Sequence, residues 1–193
     1  MKTLLLVFLS FLFASEIKSQ EQLCTSSSLE SIPTQADGRV KPLAVLAKES
    51  LYLITENSKY PSSATQFFCE LSLQKNDAQK KLLIPVHHEK IKELLHMTKD
   101  QPSIEVFKIL DQKSDISFEY RKQKMNDAYK KSLGKLLQVL SLYEKITQGT
   151  LWTYFKNNTW NPISDLKNQN DSLIHSEIKE SQKNFDSSHP ETS

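Results

Sequence analysis

Apolar residues recur along this chain with a period near 3.6 more often than with a period of 2, so helices are the expected elements. The clearest case follows Pro42. Leu43, Leu46, Ala47, Ser50, Leu51 and Ile54 fall on one continuous face. Pro42 suits the first helical turn, where its missing N–H costs nothing. Just upstream, Pro33 to Lys41 is polar, and Asp37-Gly38 marks a tight turn whose glycine accepts positive φ. That stretch is expected as a turn-forming loop locked to the helix behind it. A second helix, capped by Ser62 or Ser63, carries Phe67, Phe68 and Leu71.

Leu82 to Val86 is a short apolar run with a proline, suited to an edge strand or an extended connector. Ile91, Leu94 and Leu95 make a short helical face. Ser103 caps a further expected helix bearing Ile104, Phe107 and Leu110. The longest pattern predicts one helix from about Ile116 to Gln148, through Met125, Tyr129, Leu133, Leu136, Leu137, Leu140, Tyr143 and Ile146. Gly134 inside it points to close packing against a neighbour, and Gly149 ends it through a left-handed cap. Leu151 to Phe155 and Trp160 to Ile163 form an aromatic segment expected to fold back as a lid. The predicted fold class is therefore mainly α. It is a single helical domain over 32–166, with about five helices, one long C-terminal helix and room for one short edge strand.

The ends read differently. Met1-Lys2 followed by an apolar run from Thr3 to Ala14 has the length of a secretory signal, shorter than the roughly 20 residues a spanning helix needs. Residues 1–19 are assigned to it, with cleavage after Ser19, or alternatively Ala14; a retained N-terminal anchor is the competing reading. Residues 20–31 are polar and serine-rich and are expected as a flexible lead-in. Residues 167–193 are polar and are expected as a disordered tail, with at most a weak helix over Leu173 to Lys183. Export makes a bond between Cys24 and Cys69, the two cysteines of the chain, chemically available; two unpaired thiols are the alternative.

A net charge of +2 is too small to mark a nucleic-acid reader. The basic clusters at Lys80-Lys81, Arg121 to Lys124 and Lys130-Lys131 are interleaved with acids and read as solvated faces. The chain carries no Gly-rich phosphate loop, no G-x-S-x-G elbow and no H-E-x-x-H. His87, His88, His96, His175 and His189 lack zinc-like spacing and are expected to face solvent. No catalytic residue, metal site or cofactor is therefore assigned. What remains is the loop Thr34 to Lys41, whose polar residues exceed what a turn requires. Gln35, Asp37, Arg39 and Lys41 are the candidate partner-binding residues, with Arg39 offering a fork for a carboxylate. The competing reading is that Asp37 and Arg39 merely pin the loop to the helices.

The segment IPTQADGRVKPLAVLAKESL resembles the opening of the extracytoplasmic region of fused System II cytochrome c synthases, the CcsA/ResB type. Ile32, Pro33, Gly38, Arg39, Lys41, Pro42, Leu43, Ala47 and Glu49 carry the match. Leu83 to Val86, the helix with Leu94-Leu95 and Trp160-Asn161-Pro162 resemble later blocks in the same order, so the likeness spans roughly Ser31 to Asp165. The membrane helices, the tryptophan-rich haem-handling segment and the membrane histidines of that family have no counterpart, and Ala44-Val45 replaces the usual threonine or aspartate after Pro-Leu. Haem attachment is therefore not carried over. The resemblance implies a detached extracytoplasmic domain in a bacterial envelope, binding a membrane or periplasmic protein of the cytochrome c maturation system. The expected function is thus an exported, non-enzymatic interaction domain in the periplasm, or secreted. One alternative is a protein binding haem or a small ligand between the long helix and Trp152/Trp160. A second is a secreted effector, for which Asn157-Asn158-Thr159 and Asn170-Asp171-Ser172 would be glycosylation sites.

Overall fold

A computed structural model describes residues 23–60, 62–73, 78, 82–122 and 128–189. The signal sequence assigned to 1–19 lies outside them. Besides helical residues 23–25, the described residues form seven α-helices and three two-stranded antiparallel sheets. The helices are α1 (Leu43–Thr55), α2 (Ala64–Ser72), α3 (Glu89–Leu94), α4 (Val106–Leu110), α5 (Lys113–Lys122), α6 (Ala128–Gln148) and α7 (Asp171–Ser188). The hairpin strands are β1 (Pro33–Ala36) with β2 (Arg39–Pro42), and β5 (Thr153–Lys156) with β6 (Thr159–Pro162); β3 (Leu83–Pro85) pairs with the more distant β4 (Ser103–Glu105). The expectation of a mainly α domain with one edge strand is thereby overturned: the fold is mixed, helices and small sheets together.

The helical centre follows the sequence pattern. The apolar face of α1 is buried as a unit, Leu43, Leu46, Ala47, Ser50, Leu51 and Ile54 together. Its four large aliphatics contribute about 1.5–3 kcal/mol each relative to exposure. Pro42 stands just before the helix as its N-cap residue, in extended backbone. Ser63 caps α2, its hydroxyl accepting the Gln66 N–H at 3.1 Å. α1, α2 and α6 pack on one another.

Three departures have local causes. First, the single long helix is two. A continuous helix would hold Tyr120 and Gly134 about 21 Å apart along its axis. Instead the Tyr120 ring lies against Gly134, where an added Cβ would meet it at 3.2 Å. Lys113 of α5 also reaches Glu144 of α6 at 2.7 Å. The two helices are antiparallel neighbours; Met125, counted in the expected pattern, lies outside the described residues. Second, Ser103 begins a strand rather than capping a helix. Ile84 and Ile104 sit opposite each other and are both buried, and the cap position of α4 falls to Glu105. Third, the aromatic segment is a hairpin. Asn157 and Asn158 both take positive φ, 54° and 59°, as the two central residues of a type I′ turn do.

Of the expected flexible ends, the described parts, 23–31 and 167–189, are also organised. Leu23, Cys24 and Leu29 are buried, and Cys24 is bonded to Cys69 of α2. In the region read as a tail, α7 turns Ile174, Ile178, Ser181 and Phe185 inward. It packs on β5, where buried Ser181 accepts the Phe155 N–H at 2.7 Å and Glu177 pairs with Lys156 at 2.7 Å. Gly149, at φ 73°, ends α6 as the sequence predicts, and Lys167 folds back to donate to the Thr147 carbonyl at that helix end.

Candidate functional site

The segment singled out in the sequence is a rigid hairpin rather than a loop. Asp37 and Gly38, at φ 52° and 73°, supply the two left-handed residues of its turn. The register Thr34↔Lys41, Gln35↔Val40, Ala36↔Arg39 sets the strands. Its base is held from both sides. The Leu43 N–H donates to the Ile32 carbonyl at 2.8 Å, tying hairpin to α1. On the other flank, Gln35 N–H donates to Thr153 Oγ1 at 2.9 Å, and Thr153 N–H donates to Thr34 Oγ1 at 3.1 Å. Thr153 Oγ1 in turn donates to the Gln35 carbonyl at 3.2 Å. Two threonine hydroxyls thus replace a strand ladder between β1 and β5.

This arrangement divides the four candidate residues. Gln35 is half-buried, and its backbone is spent on Thr153. Lys41 pairs with Glu49 of α1 at 2.7 Å and pins β2 to the helix. Asp37 and Arg39 are exposed at the tip, and neither side chain has an ion-pair or hydrogen-bond partner among the described residues. Among the described residues the side-chain contact that pins the hairpin to α1 is made by Lys41. Beside the tip, a cavity of about 300 Å³ opens between α1 and α6. Asp37, Lys41 and Glu49 stand at its polar side, and Leu46, Leu53, Leu142 and Leu151 at its apolar side.

Farther along the same pair of helices is a smaller cleft that the sequence does not announce. Glu56, the residue that closes α1 in a left-handed conformation at φ 52°, accepts from Lys135 of α6 and faces His87 Nε2 at 2.8 Å. Lys135, by its hydrogen bond, and then His87 hold the Glu56 carboxyl below the ordinary glutamate range. His87 is exposed, but its neighbour His88 is half-buried, its ring 5.1 Å from that of Tyr129. The expectation that every histidine faces solvent therefore fails at His88, and at His175 of α7, which is half-buried as well. Ile84, Ile91 and Leu136 floor this cleft, whose volume of about 170 Å³ falls below the roughly 300 Å³ at which ligand pockets usually begin. Lys135 lies 79 residues from Glu56, so no local signal could have joined them.

The two tryptophans do not frame a common pocket. Trp152 is wholly buried in the core, whereas Trp160 is half-exposed and leans on Phe155 and Phe185, with centroids at 5.2 and 5.6 Å. Among the described residues no group of three or more His, Cys, Asp or Glu side chains could hold a metal ion, and no helix is long and apolar enough to cross a membrane. Scanned against models of protein families the chain matches none, and a search of curated proteins likewise finds no match.

Proposed function

We propose that this chain is an exported, non-enzymatic protein-interaction domain that docks through the tip of the β1–β2 hairpin and serves as an accessory in cytochrome c maturation. The observation that carries the docking role is the division of labour among the residues of the System II-like segment. Ile32 and Pro33 are buried, Gly38 makes the turn, Lys41 and Glu49 pair, Pro42 precedes α1, and Leu43 and Ala47 are fully buried. Among the described residues the Arg39 side chain alone of these has no partner inside the fold. An exposed guanidinium on a braced strand is well placed to fork a partner carboxylate, and hydrogen bonds to charged groups are worth about 1.5–3 kcal/mol. The bracing matters because a pre-positioned backbone leaves only the freedom of the side chain itself to be lost on binding.

The experiment places a photo-crosslinking residue at position 37 and compares adducts formed in the native envelope by the otherwise unaltered chain and by Arg39→Ala. The expected outcome is an adduct with an envelope protein that Arg39→Ala loses while thermal stability stays within about 0.5 kcal/mol, as for an ordinary surface substitution. Equal recovery with equal stability would sink the docking role. A deletion strain with normal c-type cytochrome content would remove the accessory assignment and leave docking standing.

A further inference from the structure

We infer that the partner is bound as an extended segment added to the free edge of β2, presenting a carboxylate to Arg39 and an apolar side chain to the cavity between α1 and α6. The inference rests on the docking role proposed above and names its mode. In a two-residue hairpin, residues flanking the turn exchange hydrogen bonds and the next pair does not. Gln35 and Val40 are that next pair. Gln35 confirms the alternation, because its N–H and C=O both point away from β2, to Thr153. The N–H and C=O of Val40 must then point away from β1. Among the described residues no strand pairs with that outer edge and no backbone group bonds Val40 there. Val40 is 45% exposed.

Edges of this kind are commonly blunted by proline and by charge. Pro42 does so here, leaving one donor–acceptor pair at Val40, enough to register an incoming strand and too little to template aggregation. The side chains supply the selectivity. Arg39 and Lys41 lie on one face by strand alternation. Lys41 reaches Glu49 on α1 and borders the cavity, so this face looks toward it. Lys41 is neutralised by Glu49, whereas Arg39 keeps its charge open among the described residues. A strand laid along β2 would therefore meet an unpaired cation and, beside it, the apolar wall of Leu46, Leu53, Leu142 and Leu151, where Leu53 is 60% exposed. Strand addition to a sheet edge with alternate side chains in pockets is an established form of peptide recognition.

Val40→Pro tests the idea because it deletes the N–H that the added strand needs and none that the hairpin uses. With the crosslinker at position 37, the expected result is a loss of adduct of about tenfold or more in Val40→Pro and in Leu53→Asp, matching Arg39→Ala, with an unchanged melting temperature. Should proline disturb the hairpin, read as lost amide protection at Lys41, replacement of Val40 by its α-hydroxy acid removes the same donor without the ring. Loss of adduct in Arg39→Ala with full yield from the Val40 and Leu53 variants would overturn strand addition and keep hairpin docking. Full yield in all of them would overturn both.

Discussion

The bond between Cys24 and Cys69 ties the first described residues to α2 across a sequence separation of 45. Closing a loop of that size removes about 13 cal/mol/K from the unfolded chain, or about 4 kcal/mol at 25 °C, on the chain-entropy account. Both sulfurs are buried, so Cys24→Ala with Cys69→Ala leaves no polar group stranded. For a domain of this size 1 kcal/mol moves the melting temperature by about 2–4 °C, so the double variant is expected to melt about 8–16 °C lower. The assay is a melting curve followed by circular dichroism, run on the oxidised protein, on the protein held in reductant and on the double variant. The second and third should nearly coincide. Thiol titration of the protein unfolded without reductant should find no free cysteine. A double variant melting within about 2 °C of the oxidised protein, or two thiols titrating once the protein is unfolded without reductant, would refute the reasoning and make the N-terminal segment a dispensable attachment.

Two further outcomes follow from named contacts. Ser181→Ala strands the buried Phe155 N–H and should cost about 1–3 kcal/mol, measured by urea denaturation; an unchanged midpoint would mean that α7 does not brace β5. Lys135 and His87 depress the Glu56 carboxyl in the folded state, so its contribution to stability is full above the unfolded glutamate value and is lost as pH falls through the lower folded value. Melting curves between pH 7 and pH 3 should show Glu56→Gln with a shallower acid decline than the parent; parallel declines would show that this cluster carries no weight.

Much of the helical centre was legible because burial of a helix writes itself as a repeating stripe. The α1 face, the Ser63 cap and the Gly149 stop all appear where the sequence placed them. The sheets were not legible, and for a physical reason. Strands of three or four residues hold at most two inward positions, too few for a period-2 signal. β2 is exposed along most of its length and so reads as a polar loop. For β5–β6 a signal did exist: Thr-Tyr-Phe, then Asn-Asn, then Thr-Trp is a β-prone hairpin sequence with its turn residues in place. The break between α5 and α6 stayed hidden because the apolar period runs through it, and the contacts of Tyr120 with Gly134 and of Lys113 with Glu144 reveal the reversal. At the candidate site, Asp37-Gly38 announced the turn, but the assignment of Lys41 to Glu49 and the freedom of Arg39 depend on three-dimensional neighbours.

The hydroxyl stitch between Thr34 and Thr153 spans 119 positions of sequence. At about 5–20 residues per second, Thr153 is synthesised about 6–24 s after Thr34. Until then the β1–β2 hairpin lacks its support on the β5 side. On the docking reading, recognition of that tip would wait until Thr153 has been made, so that a partner would favour molecules already carrying β5 over shorter nascent ones.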